Sequence, residues 1–141
     1  MSDKVFFDTN VLLYGVDECD PAKRRIASTL IEHAGEEEAG CISTQVLQEY
    51  YSVSTRKLKV DPLLAKEMVL FFSEWTLATT TPEDIQKAID GNILWQVSFW
   101  DALILVAAAK LKCNCVYTED LNHGQIINGV KIINPFLEKE S

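Results

Sequence analysis

The sequence predicts an α/β fold with a mainly parallel central sheet. Three observations carry this reading. Short apolar runs, Val5-Phe6-Phe7, Cys41-Ile42 and Val116-Tyr117, are too brief for helices and read as buried strands. Longer segments of helical length separate them. Capping residues, Asp20, Ser43, Thr81 and Ser98, stand where those segments begin.

Taken in order, Val5 to Phe7 forms a strand, and Asp8-Thr9-Asn10 caps a short helix that starts near Val11. A second helix runs from Asp20-Pro21 to Ala34, with Ile26, Leu30 and Ile31 inward. Residues 35–40 make a solvated turn, and Cys41-Ile42 a second strand. A third helix extends from Ser43 or Thr44 to Lys57, a fourth from Pro62 to Glu74, and Trp75 to Ala78 suits a short strand. Thr81-Pro82-Glu83-Asp84 supplies an N-cap, a proline at the first helical position and an acidic first turn, opening a helix that reaches Gln96. From Ser98 begins the most apolar helix, Phe99 to Lys112. Val116-Tyr117 and Val130 to Ile133 are strands, the latter stopped by Asn134-Pro135. Phe71, Phe72 and Trp75 suit either a dimer surface or ordinary core.

Composition bounds the function. The 141 residues are read as one domain, 1–141, long enough to bury about two-thirds of the surface its unfolded chain exposes. At 48% apolar and 24% charged residues, wholesale disorder is excluded. The longest apolar run, Ala102 to Ala109, falls far short of the roughly 20 residues that span a bilayer, and Met1 to Lys4 lacks the pattern of a signal peptide. The expected location is the cytoplasm, with no membrane partner. Four cysteines, Cys19, Cys41, Cys113 and Cys115, fit mostly buried thiols in a reducing compartment. His33 and His123 stand too far apart to support a structural zinc site. With 13 Lys+Arg against 21 Asp+Glu the charge is −8, which argues against passive binding of polyanions.

Four acids stand out. In an open parallel sheet, ligands sit beyond the carboxyl ends of the strands. Asp8 directly follows the first strand, and Thr118-Glu119-Asp120 follows a later one. Asp8 reads equally as a helix N-cap, and Asp120 as a turn acid near Asn122 and Gly124. Glu49 falls inside the apolar stripe Val46-Tyr50-Val53, where a carboxylate needs either an ion pair or a cation. Asp101 lies in the nearly all-apolar stretch Phe99 to Val106. It also completes a variant capping box with Ser98, and the two roles are compatible. Together the four offer carboxylates from two strand ends and two helices. Converging in one cleft they would repel unless divalent cations were present. Hard oxygen ligands without His or Cys suit Mg²⁺ or Mn²⁺, the usual apparatus for phosphodiester hydrolysis.

At these positions the chain resembles the PIN-domain ribonucleases, and in size most of all the VapC-type toxins of bacterial toxin–antitoxin pairs. The matching segments are Val5 to Tyr14, Ser43 to Tyr50, Phe99 to Ile104 and Tyr117 to Asp120, with acids in the family's order. The resemblance implies a three-layer α/β/α sandwich around a parallel sheet and endonucleolytic cleavage of RNA with Mg²⁺ or Mn²⁺. It puts Asp8, Glu49 and Asp101 on the family's three core catalytic and metal-binding acids. Asp120 falls on a more variable fourth, for which Glu119 could substitute. Thr9, Asn10 and Thr118 fall on polar positions that orient the acids. The resemblance further implies a homodimer inhibited by an antitoxin that inserts a segment into the cleft. The stretch Leu121 to Ile127 departs from the commonest toxin pattern, and His123 reads mainly as a loop residue.

RNA binding also needs cations. Arg56 lies seven residues beyond Glu49, about 10 Å along the same helix face. With Lys57 and Lys59 it is the best phosphate-binding candidate; Lys23, Arg24 and Arg25 form a second cluster. A solvated helix face explains either cluster equally well. Two alternatives remain at this stage. One is a phosphatase of the haloacid dehalogenase class, which also places an Asp after its first strand, although Asn10 stands where such phosphatases carry a second Asp. The other is a non-catalytic PIN-like binding module. Assigning four of the 21 acids to a metal site halves the excess charge on the rest of the chain.

Overall fold

The computed structural model describes residues 3–137. In chain order it contains β1 (Val5–Phe7), α1 (Thr9–Tyr14), α2 (Pro21–Glu36), β2 (Gly40–Ser43), α3 (Thr44–Arg56) and α4 (Pro62–Ser73). There follow β3 (Thr76–Ala78), α5 (Pro82–Trp95), α6 (Phe99–Lys110), β4 (Cys115–Tyr117), β5 (Ile126–Ile127) and β6 (Val130–Ile133). The strands lie in the order β3-β2-β1-β4-β6-β5. Every pairing is parallel except that of β5 with β6. The mainly parallel sheet expected from the sequence is therefore what forms, with helices flanking it.

The chain winds from β1 outward through β2 to β3, then returns to β4 on the other side of β1. The order reverses between β1 and β4, and a crevice opens at such a reversal beyond the strands' carboxyl ends. Asp8 follows β1 and Thr118 follows β4, so both stand at that crevice.

The central strands β1, β2 and β4 are largely buried on both faces and so read as short apolar runs, whereas β3, β5 and β6 each expose residues. Phe6, Cys41, Val116 and Ile132 form one row across four strands, each fully buried. This face packs on α6, in which Ala102 to Ala108 are all buried. The opposite face presents Val5, Phe7, Cys115 and Tyr117 toward Leu30 and Ala34 of α2. Phe7 and Tyr117, paired in register, meet edge to face at 5.2 Å.

Capping sets where the helices begin. Asp20, Ser43, Asp61 and Ser98 each accept a first-turn backbone N–H, and Thr81 with Asp84 makes a reciprocal capping box. Several expectations change in detail. Helix α2 continues to Glu36, which shortens the expected turn. Its inward edge is made by Ala27 and Ala34, with Leu30 and Ile31 partly buried and Ile26 at the surface. Two alanines allow a closer approach than the larger residues would, which turns Ile26 outward. Phe72 is fully buried and Trp75 packs on Phe7, so these two are core, while Phe71 is 47% exposed. Helix α6 ends at Lys110, two residues early, with Lys112 in the left-handed region.

Strand β5 escaped the sequence reading. Its signal is Asn128-Gly129, both at positive φ (56° and 78°), which is the two-residue turn of a tight hairpin joining β5 to β6. Cys41, Cys113 and Cys115 are buried, while Cys19 is exposed. Among the described residues no single helix is long and apolar enough to cross a membrane.

Candidate active site

The chain reaches the crevice four times. Asp8 arrives at the end of β1, where its backbone N–H bonds to the Tyr117 carbonyl of β4. Its carboxylate is buried and caps α1, accepting the Thr9 backbone N–H at Oδ1 (2.7 Å). Thr118 donates its hydroxyl to Asp8 Oδ2 at 2.8 Å. Asp101 sits in the first turn of α6, where its own N–H bonds to Ser98 Oγ at 3.0 Å. The sequence offered capping and site roles for both: Asp8 does cap α1, whereas Asp101 makes only half of the expected capping box, its N–H bonding to Ser98 with no return bond from its carboxylate among the described residues. Asp120 follows β4, its N–H bonded to Thr118 Oγ1 and its Oδ2 to Asn10 Nδ2 at 2.9 Å.

Asp8, Asp101 and Asp120 each present an oxygen such that the three lie within 4.8 Å of one another. Glu49 lines the same cavity but is outside that set of three. Its Oε1 accepts the Thr9 hydroxyl at 2.6 Å, and Gln45 Nε2 approaches its Oε2 at 3.3 Å. Glu49 thus forms the α3 wall of the cavity. Its two amide and hydroxyl partners explain how an acid is tolerated in the apolar stripe where the sequence places it.

Burial pushes the Asp8 carboxyl up to about 7, against hydrogen bonds from Thr118 and Thr9 that lower it; the neighbouring charges of Asp120 and Asp101 add to the rise. Burial also raises Asp101, with Asp120 and Glu49 adding to it and the Ser98 hydrogen bond opposing it. Such a cluster of mutually repelling oxygens is what a hard divalent cation neutralises. One further atom fits that reading. Asn10 Oδ1 is buried beside the cluster with no hydrogen-bond partner among the described residues. The hydration shell of a hard cation consists of donors, which a free acceptor complements.

Glu119 is drawn away from this group. It accepts Lys23 Nζ at 2.9 Å on Oε2 and the Tyr14 hydroxyl at 2.6 Å on Oε1. Lys23 also lies over the Tyr14 ring, 4.7 Å from its centroid. Asp120, not Glu119, is therefore the post-β4 acid that joins Asp8 and Asp101. This clasp also removes Lys23 from the expected cationic cluster. Arg56 closes α3 and Lys57 is its C-cap; both are exposed, and neither lines the acid cavity. His123 accepts the Asn134 backbone N–H at Nδ1 (3.0 Å), which makes it a loop-fixing residue. The sequence reading missed Gln45, which bridges Glu49 and the Trp100 carbonyl. Its signal was its position four residues before Glu49 on one helix.

The profile of the PIN domain family matches residues 5–127. The chain belongs to the PIN-domain family. Solved structures share the fold at low identity. VapC20 of Mycobacterium tuberculosis, described as a sarcin-ricin loop cleaving toxin, superposes with a TM-score of 0.68 at 19% identity, over 83% of this chain and 90% of that one. A toxin–antitoxin complex from Klebsiella pneumoniae gives 0.67 at 16% identity, over 94% and 98%. The DNA-bound VapBC of Salmonella typhimurium gives 0.63 at 19% identity, over 93% and 97%. A search of curated proteins finds no significant match. The PIN fold replaces the haloacid dehalogenase alternative. Consistent with that, the residue two after Asp8 is an amide, Asn10, bonded to Asp120.

Proposed function

We propose that this PIN domain, residues 1–141, is a Mg²⁺- or Mn²⁺-dependent endoribonuclease and the toxin of a VapBC-type pair, acting in the cytoplasm. The observation that carries the reading is the meeting of Asp8, Asp101 and Asp120 within 4.8 Å at the carboxyl edge of the sheet. The relatives described as toxins and toxin–antitoxin complexes support the assignment to that class.

Asp8, Asp101 and Asp120 would hold the cation, with Glu49 completing the carboxylate ring from α3. Bound there, a divalent ion supplies stabilisation of charge developing on phosphoryl oxygens and acidifies water. The chain's own residues fix the ligands beforehand. Thr118 and the Thr9 N–H hold both oxygens of Asp8, Asn10 holds Asp120, and Thr9 with Gln45 holds Glu49. Ligands locked in this way reorganise little when the substrate reacts. Hydrolysis then breaks the bond from phosphorus to the 3′ oxygen, leaving 5′-phosphate and 3′-hydroxyl ends. Arg56 and Lys57, exposed at the end of α3, are the proposed contacts for flanking phosphates.

An antitoxin segment carrying a basic residue would complement the acidic crevice. Exposed apolar side chains, Leu63, Leu70 and Phe71 on α4 and Ile89, Ile93 and Leu94 on α5, are the surfaces available for a homodimer and an antitoxin. The test is direct. Purified protein should cut RNA with Mg²⁺ or Mn²⁺ and stop with EDTA. Full cleavage by Asp8→Asn and Asp101→Asn would show the site to be wrongly assigned.

A further inference from the structure

Beside the acid cluster lies a second cavity, of about 430 Å³, between the α5–α6 connection and the loop after β4. It shares Asp101 and Asp120 with the cluster, so the two cavities adjoin at these side chains. Its remaining lining differs in kind. Trp95, Val97 and Leu121 are apolar, and Gln96, Asn122 and Gln125 are carboxamides. The size falls within the few-hundred-Å³ range of small-ligand pockets.

The backbone around this cavity is fixed although its side chains are exposed. Asn92 Nδ2 donates to the Val97 carbonyl at 2.6 Å and ties the α5–α6 connection. The loop after β4 is stitched to β6 by Gly124 N–H to the Ile132 carbonyl (2.7 Å) and Ile132 N–H to the Gln125 carbonyl (2.8 Å). His123 fixes the same loop through the Asn134 N–H. By contrast, the side-chain amides of Gln96, Asn122 and Gln125 engage no partner among the described residues. Gln96 also occupies the left-handed region, φ 58°, where glycine or asparagine is favoured. Gln96 is the left-handed cap that ends α5, and it leaves an exposed carboxamide at the cavity wall.

We infer that this pocket is a base-recognition subsite for the nucleotide adjoining the scissile phosphate, an inference that rests on the nuclease reading above. A nucleobase needs an apolar surface against its face and neutral donor–acceptor pairs at its edge. The lining is mostly polar, so the three carboxamides provide the second, while Trp95 with Val97 and Leu121, partly packed into the core, offers a smaller apolar surface for the first. A carboxamide presents both a donor and an acceptor, which is what a base edge complements. The shared walls Asp101 and Asp120 put this pocket next to the place where phosphate would be cut. The carboxamides would thus set which base is accepted, while the acids carry out the cleavage.

The experiment uses short single-stranded RNAs that differ only in the base beside the cut, on either side, with all four bases and an abasic residue. Cleavage is measured with Mn²⁺ for the wild-type chain, Asn122→Ala and Gln125→Ala, alongside Mn²⁺ binding by each. The wild type should prefer one base by about tenfold in kcat/KM over the others and over the abasic RNA. Each variant should lose most of that preference, cutting the favoured RNA at about the abasic rate, with Mn²⁺ affinity unchanged. Variants that bind Mn²⁺ normally and keep the wild-type base preference would overturn the subsite while leaving the nuclease reading in place. So would a wild type that cuts the abasic RNA as fast as the others. A wild type that binds Mn²⁺ and cuts no RNA overturns the nuclease reading, and the subsite with it.

Discussion

Thr118 Oγ1 donates to Asp8 Oδ2 at 2.8 Å while accepting the Asp120 backbone N–H at 3.1 Å. A single fully buried hydroxyl therefore sets the orientation of one acid and the chain path of another. Replacing it with an isosteric methyl removes both bonds with little change in volume. Thr118→Val should lower Mn²⁺ affinity by about 10- to 100-fold, the usual cost of losing an outer partner of a ligand. Thr118→Ser should retain most of it. Calorimetric titration of Mn²⁺ into each variant checks this.

The clasp of Tyr14 and Lys23 on Glu119 decides which acid follows β4 into the site. Asp120→Asn should weaken Mn²⁺ binding at least tenfold, whereas Glu119→Gln should change it only a few-fold. The same titration decides between them. Equal losses would mean that Glu119 also reaches the cation. The Lys23–Glu119 pair is partly exposed, so its loss should cost only about 0.5–1 kcal/mol in urea unfolding.

Tyr50 carries a fully buried hydroxyl with no hydrogen-bond partner among the described residues, and burial pushes its pKa up to about 12. Its ring packs edge to face on Phe72 at 5.4 Å. Tyr50→Phe keeps the ring and removes the unsatisfied group, so the protein should become more stable by about 1 kcal/mol. Thermal or urea unfolding measures the change.

Asp8 ties stability to pH. Burial raises its pKa from the ordinary 3.8 to about 7, so its charged form is disfavoured in the metal-free fold. Above pH 7 the wild-type chain bears that penalty and Asp8→Asn does not. Metal-free Asp8→Asn should therefore be the more stable at pH 8, by an amount on the order of 2 kcal/mol. The gap should narrow as pH falls from 7, where folded Asp8 takes up its proton, and close at about pH 4, where the unfolded chain does too. Urea titrations at a series of pH values in EDTA check the sign.

Much of this site was legible in the sequence because its residues sit at positions that chain order alone defines. Asp8 directly follows an apolar run, and Asp101 opens the one helix that is apolar all round, so strand ends and helix caps place both without tertiary knowledge. What the sequence withheld depends on contacts distant along the chain. The choice between Glu119 and Asp120 turns on Lys23 and Tyr14, about a hundred residues earlier. The outward turn of Ile26 depends on how closely Ala27 and Ala34 let α2 approach the sheet. Strand β5, two residues long, carries too little pattern to register as a strand; only its Asn128-Gly129 turn announced it.

The central claim is that Asp8, Asp101 and Asp120 form the metal site of a ribonuclease. Single-turnover RNA cleavage against Mn²⁺ concentration, comparing the wild type with Asp101→Asn, tests it most directly. The wild type should show saturable, EDTA-sensitive cleavage with 5′-phosphate ends, and Asp101→Asn a rate at least about a hundredfold lower at every Mn²⁺ concentration. Equal rates for the two proteins, or cleavage that persists in EDTA, would contradict it.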